Sequence, residues 1–471
     1  MTKPLPTYSC PVKFWAVKNP DQRAVLGKDD SENLTYGQLN ESVDRAEKLL
    51  QSASDKFLIV QAWNSAPLIV QLFAAWRANK LVVLLSPRTP SVTVRAIENQ
   101  LEAYFSSTES DELAESSESS GSAETNGSRV EGSTPHRASA MLTSGSSGQP
   151  KLIVHSTHNH LNSAVACNQR LGIQGNDIWL WSLPAFHVGG LSILWRCFLA
   201  GAAVQFFSKG EKLSTALGMA APTIISLVPT QLQELISEGF RCPPDLRSVI
   251  VGGAPITPQL LQDAISLGYP IRTTYGLTET SSMVTLSEPW MALSEPIHAG
   301  KPLDGVDLSI SGEGRIHIQS DVVRMGEFVD GNYVPATHSF TTQDTGALSL
   351  EGHLVVGPRQ DDVIISGGEN ISLGLIEATI LRHPAILTCR VIAQPHVSYG
   401  FRPIAFVKWK RSKQPEVQSL THFLEQELDK IAVPDFILEL PNPEEGFVKV
   451  SLAQLTDLAS TAINTHANHH S

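Results

Sequence analysis

Strand-length apolar runs separated by helix-length segments are the feature that most constrains the fold of this chain. Residues 57–63 and 81–85 form such runs, and residues 223–228 and 248–251 repeat the pattern. Runs of this kind are typical of parallel strands that are buried on both faces and joined by crossover helices. We therefore predict an α/β fold of layered sheets and helices, with functional groups at the strand ends.

Composition changes along the chain indicate how it is divided into domains. Residues 106–138 are rich in Ser, Glu and Gly and have almost no large apolar side chains, so we predict a disordered surface insertion. A charged turn at residues 359–362 precedes alternating short strands and helices. We predict a large N-terminal domain over residues 1–358, a hinge over 359–362, and a small, mobile α+β C-terminal domain over 363–471.

Composition also excludes several classes of protein. The 471 residues carry a formal net charge of −12 without a basic block, so nucleic acid is not expected as a partner. The five cysteines form no CxxC pair, which argues against a disulfide framework or a structural zinc site. The sequence predicts no membrane span and no secretory signal, so the expected compartment is the cytoplasm.

The most informative segment is the run Thr-Ser-Gly-Ser-Ser-Gly-Gln-Pro-Lys at residues 143–151. Its glycine and hydroxyl residues leave backbone N–H groups free to surround phosphate oxygens, and Lys151 closes the loop. The spacing differs from that of the GxxxxGK[ST] phosphate loop. A Ser/Gly loop alone would often be a linker, so the interpretation depends on the segments that accompany it.

Three further segments carry groups that could contact a nucleotide. Residues 275–279, Tyr-Gly-Leu-Thr-Glu, offer a ring, a hydroxyl and a carboxylate for a base, a phosphate and a hydrated magnesium ion. Asp344 could accept hydrogen bonds from both ribose hydroxyls, and Arg359 could support the sugar or a phosphate. Residues 366–370, Ser-Gly-Gly-Glu-Asn, place two glycines between a strand and a predicted helix. Taken singly, residues 275–279 are a weak signal, and Asp344 and Arg359 are better interpreted as a turn aspartate and a surface arginine. The two glycines alone could simply form a tight strand-to-helix turn.

Together, in this order and spacing, the four segments resemble the adenylate-forming superfamily of acyl-CoA synthetases, adenylation domains and luciferases. Residues 183–196, Leu-Pro-Ala-Phe-His-Val-Gly-Gly-Leu-Ser-Ile-Leu-Trp-Arg, together with residues 252–255 and 366–371, are most similar to the 2-succinylbenzoate:CoA ligases of menaquinone and phylloquinone biosynthesis. The resemblance implies an acid–thiol ligase that uses ATP and Mg²⁺ to form an acyl-adenylate and then transfers the acyl group to coenzyme A.

The resemblance also implies roles for individual residues in adenylation. Thr278 would contact the α-phosphate, Glu279 would assist magnesium, and Lys449 would bridge the carboxylate and the phosphate. The ATP and AMP contacts that it implies are Thr143, Ser144, Gly145, Ser146, Ser147, Gly148, Lys151, Gly252, Gly253, Ala254, Thr274, Tyr275, Gly276, Asp344 and Arg359.

Other implied roles concern the acyl substrate and the thiol. His187 resembles the residue that shapes the acyl pocket and thiol access, with a buried structural histidine as the alternative. Arg196 would hold a second carboxylate, with a helix-surface position as the alternative. Gly367 and Gly368 would form the coenzyme A side of the channel, and Asp361 would be the hinge about which the small domain rotates between half-reactions.

The chain departs from the family pattern at three places. Val448 stands where a glycine usually precedes the lysine at position 449. In the phosphate loop, Ser146 and Ser147 stand where the family often has threonines, and Gln149 stands where it often has a lysine. One positive charge is lost from the loop, but backbone donors and Lys151 remain, so we expect phosphate binding to persist.

Alternative functions remain open at this point. The first is another acyl- or aryl-CoA synthetase, which acids with and without a second carboxylate would distinguish. A peptide-synthetase adenylation module would normally carry an acidic residue near Phe186, where this chain has His187. A non-catalytic adenylate-binding protein is the third. The expected partners are a small carboxylate, ATP and coenzyme A, with a homodimer left open.

Overall fold

The computed structural model describes residues 10–27, 30–118, 136–144, 150–206, 210–294, 296–329, 331–359, 362–366, 369–396, 399–410, 417–442, 450 and 452–468. The chain forms two compact units. The first comprises Met1–Leu308, Ile318–Phe340 and Leu350–Leu354, and the second comprises Ser309–His317, Thr341–Ser349 and Val355–Ser471. The second unit takes in segments ahead of the predicted boundary at residue 358, and these segments belong to strands of one sheet.

Helices are numbered in chain order. In the described ranges they are α1 (Pro11–Lys18), α2 (Tyr36–Gln51), α3 (Ala66–Arg77), α4 (Ser91–Glu118), α5 (Thr157–Leu171), α6 (Val188–Ala200), α7 (Leu213–Ala220), α8 (Pro229–Ser237), α9 (Pro258–Ser266), α10 (Leu373–Leu381), α11 (Val417–Glu427) and α12 (Leu452–Asn468). Short 3₁₀ helices cover Asp30–Glu32 and Thr278–Thr280.

Strands are numbered in the same way. They are β1 (Arg23–Leu26), β2 (Leu34–Thr35), β3 (Phe57–Gln61), β4 (Leu81–Leu85), β5 (Arg137–Ser144), β6 (Pro150–Ser156), β7 (Ile178–Leu180), β8 (Ala203–Gln205), β9 (Ile224–Leu227), β10 (Ser248–Val251), β11 (Ile271–Thr273), β12 (Gly276–Leu277), β13 (Ser282–Met283), β14 (Thr285–Leu286), β15 (Lys301–Pro302), β16 (Asp307–Ile310), β17 (Arg315–Gln319), β18 (Gly326–Val329), β19 (Asn332–Pro335), β20 (Ser339–Leu348), β21 (Leu354–Arg359), β22 (Val363–Ser366), β23 (Glu369–Ser372), β24 (Ile386–His396), β25 (Gly400–Trp409) and β26 (Phe436–Glu439).

Two large sheets organise the first unit. One has the order β11-β10-β9-β7-β8-β1-β2, and the pairs from β11 to β1 are parallel. The other has the order β19-β18-β6-β5-β4-β3. In it β3, β4 and β5 are parallel to one another, and β6 is antiparallel to both of its neighbours, β5 and β18. The predicted α/β fold is confirmed, and β3, β4, β9 and β10 lie on the four apolar runs that predicted strands.

The main core of the first unit lies between these two sheets. Buried Val60 and Val82 come from one sheet, and buried Trp179 and Ile224 come from the other, all within one apolar cluster. Helices α3, α5 and α6 supply much of the remaining cluster, including the stacked rings of Trp76 and Trp195, whose centroids are 4.6 Å apart. Tight packing of this kind fixes the helices that carry the site described below.

Local capping explains where the helices begin. At the start of α2, the Gln38 backbone N–H donates to Thr35 Oγ1 at 3.3 Å, and the Thr35 N–H donates to Gln38 Oε1 at 2.9 Å. Ser156 and Asn159 make the same reciprocal arrangement at the start of α5. Such caps satisfy backbone donors that the first helical turn leaves without partners.

The second unit contains a sheet of order β23-β22-β25-β24, with β26 paired to β25. Alternate residues of β25 enter two different apolar clusters: Ala405 packs with α10 and α11, whereas Ile404 and Phe406 pack with α12. Both faces of this sheet are therefore covered by helices. This matches the small α+β C-terminal domain that the sequence predicts.

The structure differs from two local predictions. Helix α4 continues through Glu118 and β5 begins at Arg137, so both ends of the predicted disordered insertion are regular structure, and residues 119–135 lie outside the described part. Glu, Ala and Leu in this stretch are good helix formers, which accounts for the longer helix. The Ser-Gly-Gly-Glu segment joins two antiparallel strands, with Ser366 opposite Glu369, rather than a strand and a helix.

In the described part of the chain, no helix is both long enough and apolar enough to cross a membrane.

Candidate active site

The ends of the predicted phosphate loop are held together as a hairpin. Strands β5 and β6 are antiparallel, and Thr143 lies opposite Lys151. The Thr143 hydroxyl donates to the Lys151 carbonyl oxygen at 3.4 Å. The predicted contacts Gly145, Ser146, Ser147 and Gly148 lie outside the described residues, whereas the backbone of Ser144 is paired with that of Pro150. Any group bound by the loop would therefore lie where these two strands end.

Lys151 has a carboxylate neighbour on the adjacent strand β18. Its Nζ lies 3.5 Å from Glu327 Oε1, and Glu327 Oε2 lies 3.4 Å from Arg324 Nη2. The Lys151 side chain is 31% exposed, whereas that of Glu327 is 14% exposed. The ammonium group is thus held in position and still accessible. Sequence reasoning missed Glu327 because only the long-range pairing of β6 with β18 brings it here.

The carboxyl ends of β10 and β11 bring two predicted segments together. The Thr274 N–H donates to the Val251 carbonyl at 3.1 Å, and a Cβ on Gly252 would lie 2.6 Å from Thr274 Cγ2. Gly253 has a φ of +77°, a conformation that favours glycine. Predicted contacts Gly252, Gly253 and Ala254 are therefore beside Thr274 and the residues that follow it. In open α/β sheets, ligands bind at this edge.

Residues 275–279 form a tight turn that presents Thr278 and Glu279. Gly276 lies opposite Met283 in the β12–β13 pair, and a Cβ at Gly276 would clash with the Ser282 carbonyl oxygen. The 3₁₀ helix Thr278–Thr280 connects the two strands. Ser281 and Ser282 have φ values of 53° and 104°, so the turn is strained. The Tyr275 N–H donates to Thr285 Oγ1 at 3.1 Å, which holds the start of the turn.

Two contacts fix this turn from the direction of the β6–β18 sheet. His155 Nε2 lies 2.6 Å from the Thr278 carbonyl oxygen, and the Arg324 N–H donates to the Glu279 carbonyl oxygen at 2.8 Å. His155 is fully buried, and this burial, with a smaller effect from Arg324, lowers its pKa to about 4. The histidine is therefore neutral near pH 7. Neither contact was predicted, because both connect parts of the chain that are remote in sequence.

The residues around Glu279 fit a magnesium ion that is bound together with nucleotide phosphates. The described part of the chain contains no group of three or more His, Cys, Asp or Glu side chains that could hold a metal by itself. Mg²⁺ commonly takes one or two protein carboxylates and completes its octahedron with phosphate oxygens and water. The half-buried Glu279 carboxylate meets this requirement, because its backbone is held and it stands beside Thr278.

The two residues predicted for the acyl substrate lie at the start of helix α6 and within it. His187 is the residue that precedes the helix, and its side chain is exposed, with its ring centroid 4.9 Å from that of Phe186. The alternative of a buried structural histidine is therefore wrong. Arg196 is 1% exposed and donates through Nη2 to Ser282 Oγ at 3.1 Å, so the alternative of a helix-surface arginine is also wrong.

The predicted ribose-binding pair lies in the second unit. Arg359 Nη1 donates to Asp344 Oδ1 at 3.3 Å, and Asp344 is 8% exposed. The structure thus brings together two residues that are fifteen positions apart on β20 and β21. Four other predicted residues lie outside the described part of the chain: Asp361, Gly367, Gly368 and Lys449.

Two family models match this chain. The model of the AMP-binding enzyme matches residues 12–329, which contain the phosphate hairpin and the Thr278 turn. The model of the AMP-binding enzyme C-terminal domain matches residues 375–446.

Curated relatives of this chain include proteins named 2-succinylbenzoate–CoA ligase. One from Bacillus cereus strain AH820 is 32% identical over 478 residues, which cover 95% of this chain and 98% of the relative. Another, from Bacillus cytotoxicus, is 35% identical over 338 residues, which cover 67% of this chain and 70% of the relative.

Solved structures of o-succinylbenzoate coenzyme A synthetase (MenE) have the same fold. The Bacillus subtilis enzyme in complex with the acyl-adenylate intermediate OSB-AMP aligns with a TM-score of 0.75 at 26% identity and covers 95% of this chain and 98% of its own. The B. subtilis enzyme with ATP and magnesium ion aligns with a TM-score of 0.72 at 25% identity and covers 91% and 95%. This chain belongs to the adenylate-forming AMP-binding enzyme family.

Proposed function

We propose that this chain is an AMP-forming acid–thiol ligase that converts 2-succinylbenzoate to 2-succinylbenzoyl-CoA in naphthoquinone biosynthesis. The observation that carries the proposal is that Gly252–Ala254 and Thr274–Glu279 meet at the adjoining ends of β10 and β11 in the first unit. Lys151 is linked to this group through Glu327, which also pairs with Arg324, the residue whose backbone N–H holds Glu279. Relatives named 2-succinylbenzoate–CoA ligase that align along nearly the whole chain support the same activity.

In the first half-reaction, a carboxylate oxygen of the substrate attacks the α-phosphorus of ATP and pyrophosphate leaves. The protein contributes positioning and charge stabilisation and does not form a covalent bond with the substrate. The Thr278 hydroxyl donates to the α-phosphate, and Lys151 with the backbone donors of the phosphate hairpin binds the departing phosphates. Magnesium, held by Glu279, supplies positive charge at the phosphate oxygens when bound. Lys449 bridges the carboxylate and the α-phosphate.

Other residues are proposed to bind the nucleoside. Tyr275 flanks the adenine ring, and Gly252–Ala254 with Thr274 line the same site from the neighbouring strand end. Asp344 accepts hydrogen bonds from the ribose hydroxyls, and its hydrogen bond from Arg359 keeps the carboxylate oriented.

In the second half-reaction, the thiol sulfur of coenzyme A attacks the acyl carbonyl of the adenylate and AMP leaves. We propose that residues 363–471 rotate about Asp361 between the half-reactions, so that Gly367 and Gly368 replace Lys449 at the acyl group. The exposed ring of His187 lies at the start of α6, where it can line the path of the incoming thiol.

Arg196 is the proposed partner of the second carboxylate of 2-succinylbenzoate. Its guanidinium is buried and hydrogen-bonded to Ser282, which directly follows the nucleotide-side turn. Among the described residues no carboxylate forms an ion pair with it, and its Nε–H has no hydrogen-bond partner. A buried cation without an anion carries a large desolvation cost, which an incoming carboxylate would offset.

The small-molecule partners are 2-succinylbenzoate, ATP and coenzyme A. We further propose that the enzyme acts in the cytoplasm and without nucleic acid, because ATP and coenzyme A are supplied there and the net charge is −12.

The test is coenzyme A-dependent formation of pyrophosphate and thioester from ATP and 2-succinylbenzoate, with benzoate and a medium-chain fatty acid assayed beside it. Lys449→Ala is the control variant, and we expect it to abolish adenylation while leaving the folded state unchanged. Strong preference for 2-succinylbenzoate supports the proposal. Turnover of the other acids alone would assign a different acyl-CoA synthetase, and no turnover with any acid would indicate a non-catalytic adenylate-binding protein.

A further inference from the structure

A chain of buried polar side chains lies beneath Thr278 in the first unit. His155 Nδ1 is 3.5 Å from Ser139 Oγ, and Ser139 Oγ is 2.7 Å from His160 Nε2. At its other end His155 Nε2 reaches the Thr278 carbonyl oxygen at 2.6 Å. We call His155, Ser139 and His160 the buried histidine chain. All three side chains are almost or fully inaccessible to solvent.

The direction of each hydrogen bond in the buried histidine chain follows from its chemistry. A carbonyl oxygen can only accept, so His155 Nε2 carries the proton that is donated to Thr278. Burial holds the pKa of His155 far below its usual value, so the ring is neutral and Nδ1 is an acceptor. Among the residues that the structure describes, the donor that reaches Nδ1 is the Ser139 hydroxyl, which must then accept from His160 Nε2–H. Every side-chain N–H and O–H of the buried histidine chain therefore donates a hydrogen bond.

His160 is itself held rigidly. Its ring stacks on Trp195 with the centroids 5.4 Å apart and the planes 11° from parallel, and its Nδ1 has no hydrogen-bond partner in the described part of the chain. In the direction of donation above, this Nδ1 is a bare lone pair, which is cheaper to bury unpaired than an N–H donor would be. The buried histidine chain therefore begins at the His160 ring, which is packed in the core, and ends at the Thr278 carbonyl of the turn.

We propose that the buried histidine chain is a positioning device for adenylation: His155 fixes the Thr278 carbonyl, and through it the Thr278 hydroxyl and the Glu279 carboxylate, against the incoming Mg²⁺·ATP. Ser281 and Ser282, which follow in the same turn, have positive φ values, so the backbone needs an external anchor to stay in this conformation. Ser163 and Val322 hold Ser281, and Arg196 and Ser192 hold Ser282. At Thr278 and Glu279 themselves, the backbone anchors are the His155 bond to the Thr278 carbonyl and the Arg324 bond to the Glu279 carbonyl. This inference rests on the adenylation activity proposed above.

The deciding comparison is between His155→Gln and His155→Asn. Both side chains end in an amide of similar polarity, but only the longer Gln side chain can place an N–H where His155 Nε2 now donates to Thr278. We expect His155→Gln to keep the single-turnover rate of adenylation within about threefold of wild type, and His155→Asn to lose about tenfold to a hundredfold. Thioester formation from preformed acyl-adenylate should change less than adenylation in either variant, because pyrophosphate has already left and no Mg²⁺·ATP has to be aligned on the turn.

Two further variants separate positioning from stability. Ser139→Ala removes the donor to His155 Nδ1 and should give a smaller loss of the adenylation rate, of about threefold to tenfold. His158→Asn, at an exposed histidine of the same helix as His160, should leave the rate unchanged. Equal rates in His155→Gln and His155→Asn, with both proteins folded, would overturn the positioning role.

A second measurement applies if the wild-type protein turns over none of the acids offered. It is the dissociation constant of Mg²⁺·ATP, measured by calorimetry in the absence of any acid. Here too we expect His155→Asn to bind the nucleotide about tenfold more weakly than His155→Gln. Wild-type turnover with unaltered His155→Asn would reject only the positioning role. Absence of wild-type turnover together with the expected difference in affinity would reject only the ligase activity.

Discussion

Arg196 and Ser282 are joined across the first unit by a hydrogen bond of 3.1 Å from Nη2 to Oγ, and both side chains are buried. Ser192, one helical turn earlier on α6, reaches the same Ser282 hydroxyl at 3.2 Å. Ser282 closes the turn that presents Thr278 and Glu279. The helix proposed to carry the acyl-substrate contacts is therefore connected directly to the turn proposed to bind the α-phosphate.

Replacement of Arg196 by Met should show whether Arg196 binds the second carboxylate of the substrate. Met keeps most of the buried volume but removes the charge, so kcat/KM for 2-succinylbenzoate should fall by about tenfold to a hundredfold, the size of a hydrogen bond to a charged group. For a benzoate that lacks the second carboxylate, kcat/KM should change by less than about threefold. Steady-state thioester formation with both acids measures this. An equal loss with both acids would assign Arg196 a purely structural role.

Replacement of Gly276 by Ala should inactivate the enzyme through its backbone. The added Cβ would clash with the Ser282 carbonyl oxygen and lie 2.5 Å from Met283 Cα, so the turn must open. We expect adenylation to fall by about a hundredfold and unfolding to become easier by about 1–3 kcal/mol. Pyrophosphate release and urea unfolding monitor the two effects.

The matched control is Gly218→Ala in the exposed part of α7, where an added Cβ meets nothing within 4 Å. That change should stabilise the protein by about 0.5–1 kcal/mol, because alanine favours the helix, and it should leave activity intact. Full activity in Gly276→Ala would contradict the claim that adenylation requires the close approach of Gly276 to Ser282.

Much of the fold could be predicted because it depends on local patterns. The apolar runs at residues 81–85 and 248–251 became β4 and β10. The predicted contacts Gly252 and Thr274 met because parallel strands of one sheet end at a common edge.

The parts that could not be predicted depend on long-range pairing and burial. In the sequence, His155 and Glu327 are ordinary strand residues. Their contacts depend on the pairing of β6 with β18 and on the packing of His155 against the Thr278 carbonyl. The sequence also left the exposure of His187 open, because the residue before a helix can face either the core or solvent. Composition alone suggested disorder at residues 106–118, where helix-forming side chains continue α4.

Replacement of Asp344 by Asn should weaken ATP binding more than catalysis. The substitution keeps the shape but removes the charge that accepts from Arg359 and, in the proposed site, from the ribose hydroxyls. We expect KM for ATP to rise by about tenfold to a hundredfold with a smaller change in kcat. Glu313→Gln is the control, since Glu313 pairs with Arg315 at 2.6 Å on the surface and is 64% exposed. A change in kcat for Asp344→Asn without a change in KM for ATP would contradict a role of Asp344 in ATP binding.

Acidification should destabilise the first unit through its buried histidines. Burial lowers the pKa of His155 to about 4 and that of His160 well below its usual value, whereas both rings titrate near 6.5 when unfolded. The unfolded chain therefore binds more protons between these values, so stability is fully present above pH ~6.5 and is lost as the pH falls towards 4, by about 1.4 kcal/mol per pH unit for each ring. Urea unfolding followed by tryptophan fluorescence between pH 7.5 and 4.5 measures this slope. His155→Gln should remove about one ring's share, while carboxylates titrate alike in both proteins. Identical slopes in wild type and His155→Gln would mean that His155 is already protonated in the folded state.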